Sequence, residues 1–328
     1  MAEDNLLLRL GTSTIEQCHI DYVGGYVNAV SNPTRSSTKK SRRLAGASVG
    51  IPPRHLDFQI PQAPRYFLGD NATATTFIAV LSAFFPPGER FFMESVRHFR
   101  KQINDPVLKA EVAGFMGQEA IHGREHERLN ELFIEQGINT KVPEKAVKVA
   151  LKVLEQFSPS QQLAFTTFME HFTALLGEQL LTNKHFQDSA HGEMLQLWLW
   201  HALEELEHKS VAYDVYETAG NSRLERLIAF PMVSLVMLPA VFSSWGYLLA
   251  KEGKLFDRQD IGKGVSMLFS KRRGLIGNVL PLMGLFARKD YHPNKKDTGA
   301  LEAQWRENLF GKNGTLRDQV SNLQALAH

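Results

Sequence analysis

Two segments of this chain carry the same Glu-x-x-His spacing within long runs of helical pattern, and this repeat constrains the fold more than any other feature. In "GQEAIHGREH", Glu119 and His122 are three residues apart, and in "HALEELEH", Glu205 and His208 are three apart. Side chains at positions i and i+3 lie on one face of a helix. Each segment therefore predicts a helix that directs a carboxylate and an imidazole toward the same neighbour.

Helical patterning dominates the rest of the chain after a proline-rich lead-in at 51–70. We find no alternating strand pattern and no repeat of fixed period. Prolines at 86–87, 106 and 159 are expected to open helices, because proline is tolerated in a first turn. The pattern predicts helices near 71–84, 87–103, 106–136, 143–156, 160–184, 190–219 and 226–250. The predicted class is all-α, a helical bundle with extra C-terminal helices.

Composition suggests three regions along the chain. Residues 1–50 are predicted to form a flexible basic arm, since "TRSSTKKSRR" has five basic residues in ten and almost no apolar ones. A surface for anionic lipid or a partner is the alternative reading of the arm. Residues 51–225 are predicted to form a metal-binding bundle. Residues 226–328 are predicted to form an apolar helix and a C-terminal cap packed on that bundle.

The stretch 227–250 contains no charged residue, although Pro231 and Pro239 interrupt it. Its length is sufficient to span a bilayer. Three alternatives stay open: a buried helix or homodimer interface, an insertion at a membrane surface, and a full span. Basic residues flank both ends and give no clear orientation, and we favour the first alternative.

The overall composition excludes several classes of protein. The net charge of +2 provides no global field for nucleic acid, so we expect no nucleic-acid partner. Cys18 is the only cysteine, which excludes disulfides, zinc–thiolate sites and iron–sulfur clusters within one chain. The N-terminal sequence lacks the basic and apolar regions of a secretory signal. We therefore expect a cytoplasmic protein, with a peripheral position at the inner membrane as the alternative.

A Glu-x-x-His on each of two helices, with one glutamate on each of two others, is the inward-facing ligand set of di-iron and di-manganese bundles. The first single glutamate is Glu89 or Glu94. These lie about 140° apart around a helix, so only one can point inward, and we favour Glu89. The second is Glu170 or Glu178, and we favour Glu170 because phenylalanine, threonine and methionine surround it.

Two further histidines lie on the faces that carry these motifs. His201 is four residues before Glu205 and is predicted to be a third histidine ligand. His126 is four residues after His122 and is either a ligand or a partner that positions one. A hydrogen-bonded core histidine is the alternative for both. A solvated, salt-bridged face is the alternative for the whole set, but the apolar "LQLWLW" just before His201 argues against it.

The residue types fit a pair of metal ions. Two divalent ions ~4 Å apart repel each other, and bridging carboxylates neutralise that charge. Carboxylate and imidazole ligands suit iron and manganese, whereas a thiolate would be oxidised beside a metal that reacts with O₂. We therefore predict two bound metal ions, with iron preferred and manganese or zinc as alternatives.

Several motifs resemble a known family: "FFPPGERFF", "QEAIHGREHERLN", "MEHFTA", "HALEELEHKSVAYDVY" and "YHPNKKDT". From about residue 50 to 310 the chain resembles the bacterial predicted metal-dependent hydrolases. That name implies hydrolysis, while the ligand pattern implies a ferritin-like di-metal bundle. The segment around His201 also resembles the site of di-iron arylamine N-oxygenases. This local resemblance implies seven metal ligands: Glu89, Glu119, His122, Glu170, His201, Glu205 and His208.

Three functions follow as hypotheses. The first is an oxidoreductase, a di-iron oxygenase or oxidase that uses O₂ and an electron donor to oxidise a hydrophobic or aromatic small molecule. The second is a metal-dependent hydrolase that attacks its substrate with hydroxide generated by the metal. The third is a metal-binding protein without catalytic activity.

Overall fold

The protein is built of helices, as a computed structural model shows for residues 46–58, 63–220, 222–271 and 273–321. Within these ranges there are no β-strands, only two isolated β-bridges, so the all-α prediction is confirmed. Residues 1–45 of the predicted arm lie outside the described residues. The α-helices are α1 Ala72–Phe99, α2 Pro106–Glu135, α3 Lys141–Leu154, α4 Pro159–Thr182, α5 Lys184–Ser189, α6 Gly192–Glu207, α7 Val211–Thr218, α8 Arg223–Lys251, α9 Arg258–Phe269 and α10 Gly299–Phe310. Short 3₁₀ helices span Leu280–Ala287, Pro293–Lys295 and Arg317–Gln319.

Helix α1 runs through Pro86 and Pro87 without a break, so the prediction of two helices at 71–84 and 87–103 is wrong. Proline at position 86 cannot donate a hydrogen bond to the carbonyl of Ser82 one turn earlier. The side chain of Asn130 on α2 donates to that carbonyl instead, at 3.1 Å. A neighbouring helix thus satisfies the group that the proline leaves free, and the helix continues to Glu89 and beyond.

The predicted helix at 190–219 is interrupted, because α6 ends at Glu207 and α7 begins at Val211. His208 leaves helical geometry, with φ −110° and ψ 6°. Lys209 follows it and donates from Nζ to the Lys296 carbonyl oxygen at 2.8 Å. The break therefore lets two adjacent side chains make different contacts. The His208 ring lies inside the bundle, and Lys209 binds the loop before α10. The sequence did not predict α9.

A polar layer divides the apolar core of the bundle into two clusters. In α1 the first cluster uses residues 74–81 and the second uses 91–99, with Glu89 between them. The same division occurs around Glu119 in α2, around Glu170 in α4 and around His208 between α6 and α7. Because the apolar residues lie above and below, the side chains of this layer are shielded from solvent by packing rather than by a lid.

Helix α8 buries little of its apolar surface within the chain. It packs against α3, α4 and α1, yet only 17% of its most apolar stretch of 18 residues is buried. Leu224, Ile228, Leu235, Leu238 and Phe242 are exposed along one side. Among the described residues it is the one helix long and apolar enough to cross a membrane by length and composition. The single chain does not bury this helix, so the favoured alternative of a helix buried within the chain is wrong. The homodimer interface, the insertion at a membrane surface and the full span stay predictions.

Candidate metal centre

The structure brings all seven predicted ligands together inside the bundle. Every one of them is at most 5% exposed: Glu89, Glu119, His122, Glu170, His201, Glu205 and His208. Helix α1 supplies the first, α2 the next two, α4 the fourth, and the end of α6 the remaining three. Three groups of ligand atoms lie close enough to hold an ion: Glu89–His122–His201, Glu119–His122–Glu205 and Glu119–Glu170–His208.

The alternative glutamates lie outside this cluster. The side chain of Glu94 is 58% exposed and forms an ion pair with Arg97 on the same helix. Glu178 forms an ion pair with Lys296 at the edge of the bundle. The structure thus separates the two candidates in each pair, although ligation by Glu89 and Glu170 stays a prediction.

Three histidine nitrogens point toward one carboxylate oxygen, Oε1 of Glu205. The distances are 2.9 Å from Nε2 of His201, 3.5 Å from Nε2 of His208 and 3.7 Å from Nδ1 of His122. These nitrogens come from two helices and from the residue that ends α6. The Glu205 oxygen therefore marks the point at which the three imidazoles converge.

The cluster contains many buried polar atoms without hydrogen bonds. Both carboxylate oxygens of Glu89, Glu119 and Glu170 make none with the described residues, and neither do His122 Nδ1, Glu205 Oε2 and His208 Nε2. Buried polar atoms in proteins are nearly always hydrogen-bonded, and an unsatisfied one costs about 1–3 kcal/mol. All of these atoms belong to the predicted ligands. A donor set of this kind fits two divalent cations, whose charge would balance the four carboxylates once these are ionised.

Burial is the largest single influence on the pKa of each of the four carboxyl groups. It raises the pKa of Glu89, Glu119 and Glu170, and neighbouring carboxylates add to that rise. Burial also acts to raise the pKa of Glu205, but the charges of His208 and His201 and the hydrogen bond with His201 outweigh it and lower that pKa. Burial lowers the pKa of His122. In the metal-free protein the cluster therefore retains protons that metal ions would have to displace.

The far side of each histidine ring is held by a second side chain. Nε2 of His122 lies 2.9 Å from Oε2 of Glu204, and Nδ1 of His208 lies 3.0 Å from Oε1 of Gln118. Both partners are fully buried. Such partners fix the orientation of a ligating imidazole and the nitrogen that carries its proton. These bonds leave Nδ1 of His122 and Nε2 of His208 without a hydrogen-bond partner, facing the cluster.

His126 supports His201 and lies behind it. Its Nε2 is 2.7 Å from Nδ1 of His201, and its Nδ1 is 2.9 Å from the hydroxyl of Ser82 on α1. With a metal on Nε2 of His201, the Nδ1 proton of His201 would be donated to His126, and His126 would donate to Ser82. Of the two roles predicted for His126, this position corresponds to the partner that positions a ligand.

Sequence reasoning missed a buried charge network that joins these supports. Arg54 donates to Glu204 at 2.8 Å and to both oxygens of Glu207 at 2.7 Å. Arg306 of α10 donates to Glu207 at 2.7 Å, and Gln118 donates to it at 2.9 Å. Glu204 and Glu207 are visible in "HALEELEH", but no local pattern indicated that arginines before and after the bundle would pair with them.

We expect replacement of His126 by phenylalanine to weaken metal binding by about 10–100-fold, the effect typical of losing a partner that orients a ligand. The reason is that His201 would lose the acceptor for its Nδ1 proton while the aromatic packing remains. Competition with a chelator in Mn²⁺ and Fe²⁺ titrations measures the affinity. His98→Phe is the matched control, since His98 is exposed near the end of α1. Equal affinities of the two variants would contradict the supporting role.

Metal ions should stabilise the protein more at high pH than at low pH. The carboxyl groups of Glu89, Glu119 and Glu170 have pKa values raised above the ordinary value of 4.5. Their folded forms keep protons that the unfolded chain has released, so the metal-free protein loses stability as pH rises above about 4.5. Metal affinity rises over the same range because fewer protons remain to be displaced. We expect a larger metal-induced increase in Tm at pH 8 than at pH 6 by calorimetry; equal increases would show that protons and metal do not compete.

The fold and the cluster define a helical protein with a buried set of glutamate and histidine side chains suited to metal ions. The chain belongs to the predicted metal-dependent hydrolase family, whose model matches residues 52–297. That range contains all seven candidate ligands and Arg54, and it ends before Arg306. Comparison with curated proteins and with solved structures gave no significant match.

These comparisons support some of the predictions from sequence and leave others without support. The family resemblance is confirmed, whereas the ferritin-like and arylamine N-oxygenase resemblances are not. The family description supports the hydrolase alternative better than the leading oxygenase hypothesis. Metal binding is supported both by the family and by the buried donor groups, without a distinction among iron, manganese and zinc.

Proposed function

We propose that this protein is a metal-dependent hydrolase of a small molecule, with two divalent ions held by the four glutamates and three histidines of the buried cluster. The observation that carries the proposal is the convergence of buried carboxylate oxygens and imidazole nitrogens that make no hydrogen bonds with the described residues. The description of the family supports hydrolysis as the reaction.

The chain's own residues determine how such a centre works. When bound, two divalent ions supply hydroxide at neutral pH and polarise the oxygen of an ester or phosphate. Glu119 belongs to two of the possible ion-binding groups and Glu205 to one, so these carboxylates from two helices would help to hold the ions. Gln118, Glu204 and His126 hold the three imidazoles in one orientation. The aromatic rings of Phe115 and Trp200 pack against His208 and His122 and exclude bulk water there.

Metal content and turnover test this proposal together. Protein is loaded separately with Fe²⁺, Mn²⁺ and Zn²⁺, the ions per chain are counted, and hydrolysis of a panel of carboxylic and phosphoric esters is measured with and without O₂. We expect about two ions per chain and ester hydrolysis that is independent of O₂. Absence of hydrolysis with every metal would refute the proposed reaction.

A specific observation favours a second function, O₂-dependent oxidation with an electron donor. The donor set contains three histidines and four glutamates without a thiolate, and the rings of Phe85 and Trp198 lie beside His201 and His126. Such ligands suit iron that changes oxidation state. In the same experiment, O₂ consumption and a change in the optical spectrum of the iron-loaded protein, without ester hydrolysis, would select this function. Two bound ions without either activity would select the non-catalytic alternative.

A further inference from the structure

A cavity of about 240 Å³ is lined by residues next in sequence to three of the proposed metal ligands, while none of the seven ligands lines it. Its wall includes His171, Leu206 and Lys209, which directly follow the proposed ligands Glu170, Glu205 and His208. The opposite wall comes from the loop before α10. A molecule in this cavity therefore contacts the segments of α4 and α6 that position the metal ligands.

Two of the four cations that line this cavity are neutralised by carboxylates. Lys295 forms an ion pair with Asp290 at 2.7 Å, and Lys296 forms one with Glu178. These pairs account for both acidic side chains of the lining. The other two cations of the cavity, Lys209 and Arg288, form no ion pair among the described residues. Carboxylates nevertheless lie near both of them, since Glu302 acts on the charge of Lys209 and Arg288 acts on that of Asp290. The lining therefore keeps an excess of positive charge, with four cations and two carboxylates.

Lys209 is held in place by neutral groups. Its Nζ donates to the carbonyl oxygen of Lys296 at 2.8 Å and to the hydroxyl of Thr298 at 2.5 Å. An ammonium group has three donor hydrogens, so one remains after these two bonds. Because Lys209 is only 9% exposed, this positive charge is kept at the inner part of the cavity without an ion pair of its own.

Arg288 supplies the second positive charge without an ion pair, at the rim of the cavity. Its guanidinium makes no hydrogen bond or ion pair within the part of the chain that the structure describes. Its backbone is fixed, since the buried Arg226 donates to the Arg288 carbonyl oxygen at 2.9 Å. A guanidinium presents a planar fork of donors that matches carboxylate and phosphate groups.

An aromatic ring and an apolar wall complete the cavity. Tyr291 is 8% exposed, and its hydroxyl has no hydrogen-bond partner among the described residues. Its ring packs against His171, Phe286 and Tyr213 and is thereby held in position. Leucine side chains form the apolar part of the lining: Leu175, Leu206 and Leu285.

We propose that this cavity binds the substrate and that the substrate is a small ester with a free anionic group, a carboxylate or a phosphate. Arg288 and Lys209 bind the anion, and the leucines contact the apolar part of the ligand. This inference rests on the proposed hydrolase function. It adds the class of substrate, which neither the family description nor the metal ligands specify.

Calorimetric binding to the metal-loaded, full-length protein tests the inference with a matched pair of probes. Monomethyl succinate is an ester with a carboxylate, and methyl butyrate has a methyl group in place of that carboxylate. We expect the anionic probe to bind the native protein at least tenfold more tightly. Arg288→Gln should reduce its affinity by about tenfold, the loss that corresponds to one charge-assisted contact, and should leave methyl butyrate unchanged. Lys289→Gln, which alters an exposed neighbouring cation outside the cavity lining, is the control.

Measurements of binding and of turnover test the anion site and the hydrolase function separately. Preferential binding of the anionic probe that depends on Arg288, without hydrolysis of any ester, would support the anion site and refute the hydrolase function. Equal binding of both probes would overturn the anion site, whether or not an ester is cleaved. Equal losses in Arg288→Gln and Lys289→Gln would also overturn it, since general surface charge would then explain the attraction.

Discussion

Replacement of Glu119 by alanine is expected to reduce the metal content from about two ions per chain to fewer than one. Catalytic turnover should fall by more than ~100-fold, because losing a residue that only supports a metal ligand already costs up to about that much. Glu119 belongs to two of the three groups of atoms that could hold an ion. Its Oε1 lies 3.1 Å from Nε2 of His208. Elemental analysis after dialysis, followed by the turnover assay, measures both effects.

Glu94→Ala provides the control for this prediction, because it removes the same group from an exposed position on a ligand-bearing helix. Circular dichroism should show that metal-free Glu119→Ala remains folded, since the lost carboxyl is one whose pKa is raised by burial. A Glu119→Ala protein with full metal content and full activity would show that the cluster is not the metal centre.

The second large effect concerns stability. We expect Arg54→Met to lower the free energy of unfolding by about 3–5 kcal/mol, the cost of leaving buried charges without their partner. Arg54 is 2% exposed and pairs with two carboxylates, Glu204 and Glu207, whose side chains are fully buried. Its guanidinium also lies 4.6 Å from the centre of the Phe310 ring, which ties α10 to the bundle. Urea unfolding of the metal-free protein measures the difference.

The pH dependence of that difference has a definite sign. Without Arg54, the pKa values of Glu204 and Glu207 rise in the folded state, so their stability contribution is retained at low pH and lost as pH increases. The destabilisation should therefore be larger at pH 8 than at pH 5. Arg65→Met is the control, because Arg65 is 48% exposed and its ion pair with Glu252 is worth at most about 1 kcal/mol. Equal losses in the two variants would contradict the importance of the buried network.

Periodic features of the sequence predicted much of the bundle and the candidate site. Helical periodicity indicated the all-α class, and the i, i+3 spacing indicated which side chains share a face. The argument from angular separation left one inward-facing glutamate at Glu89 or Glu94, and in the structure Glu89 alone is buried. Spacing within one helix thus showed that only one of the two glutamates could face inward, and the structure shows which one does.

The remaining features depend on contacts between distant segments. The continuity of α1 through Pro86 depends on Asn130, which lies 48 residues from the carbonyl that accepts its hydrogen bond. Arg54 pairs with Glu204 across 150 residues. No pattern within one segment specifies either contact. The end of α6 at His208 likewise depends on the loop that Lys209 reaches, so the sequence read as one uninterrupted helix.

The polar layer between the two apolar clusters has a consequence for cooperativity. Each of the four ligand-bearing segments passes through this layer, so the two halves of the core are joined across a plane of carboxyl and imidazole groups rather than by continuous apolar packing. Without cations, mutual repulsion and retained protons weaken the junction. Cations bound by these groups would cross-link the four segments at their midpoints. We therefore expect the two halves to unfold as one unit when metal is bound and more independently without it.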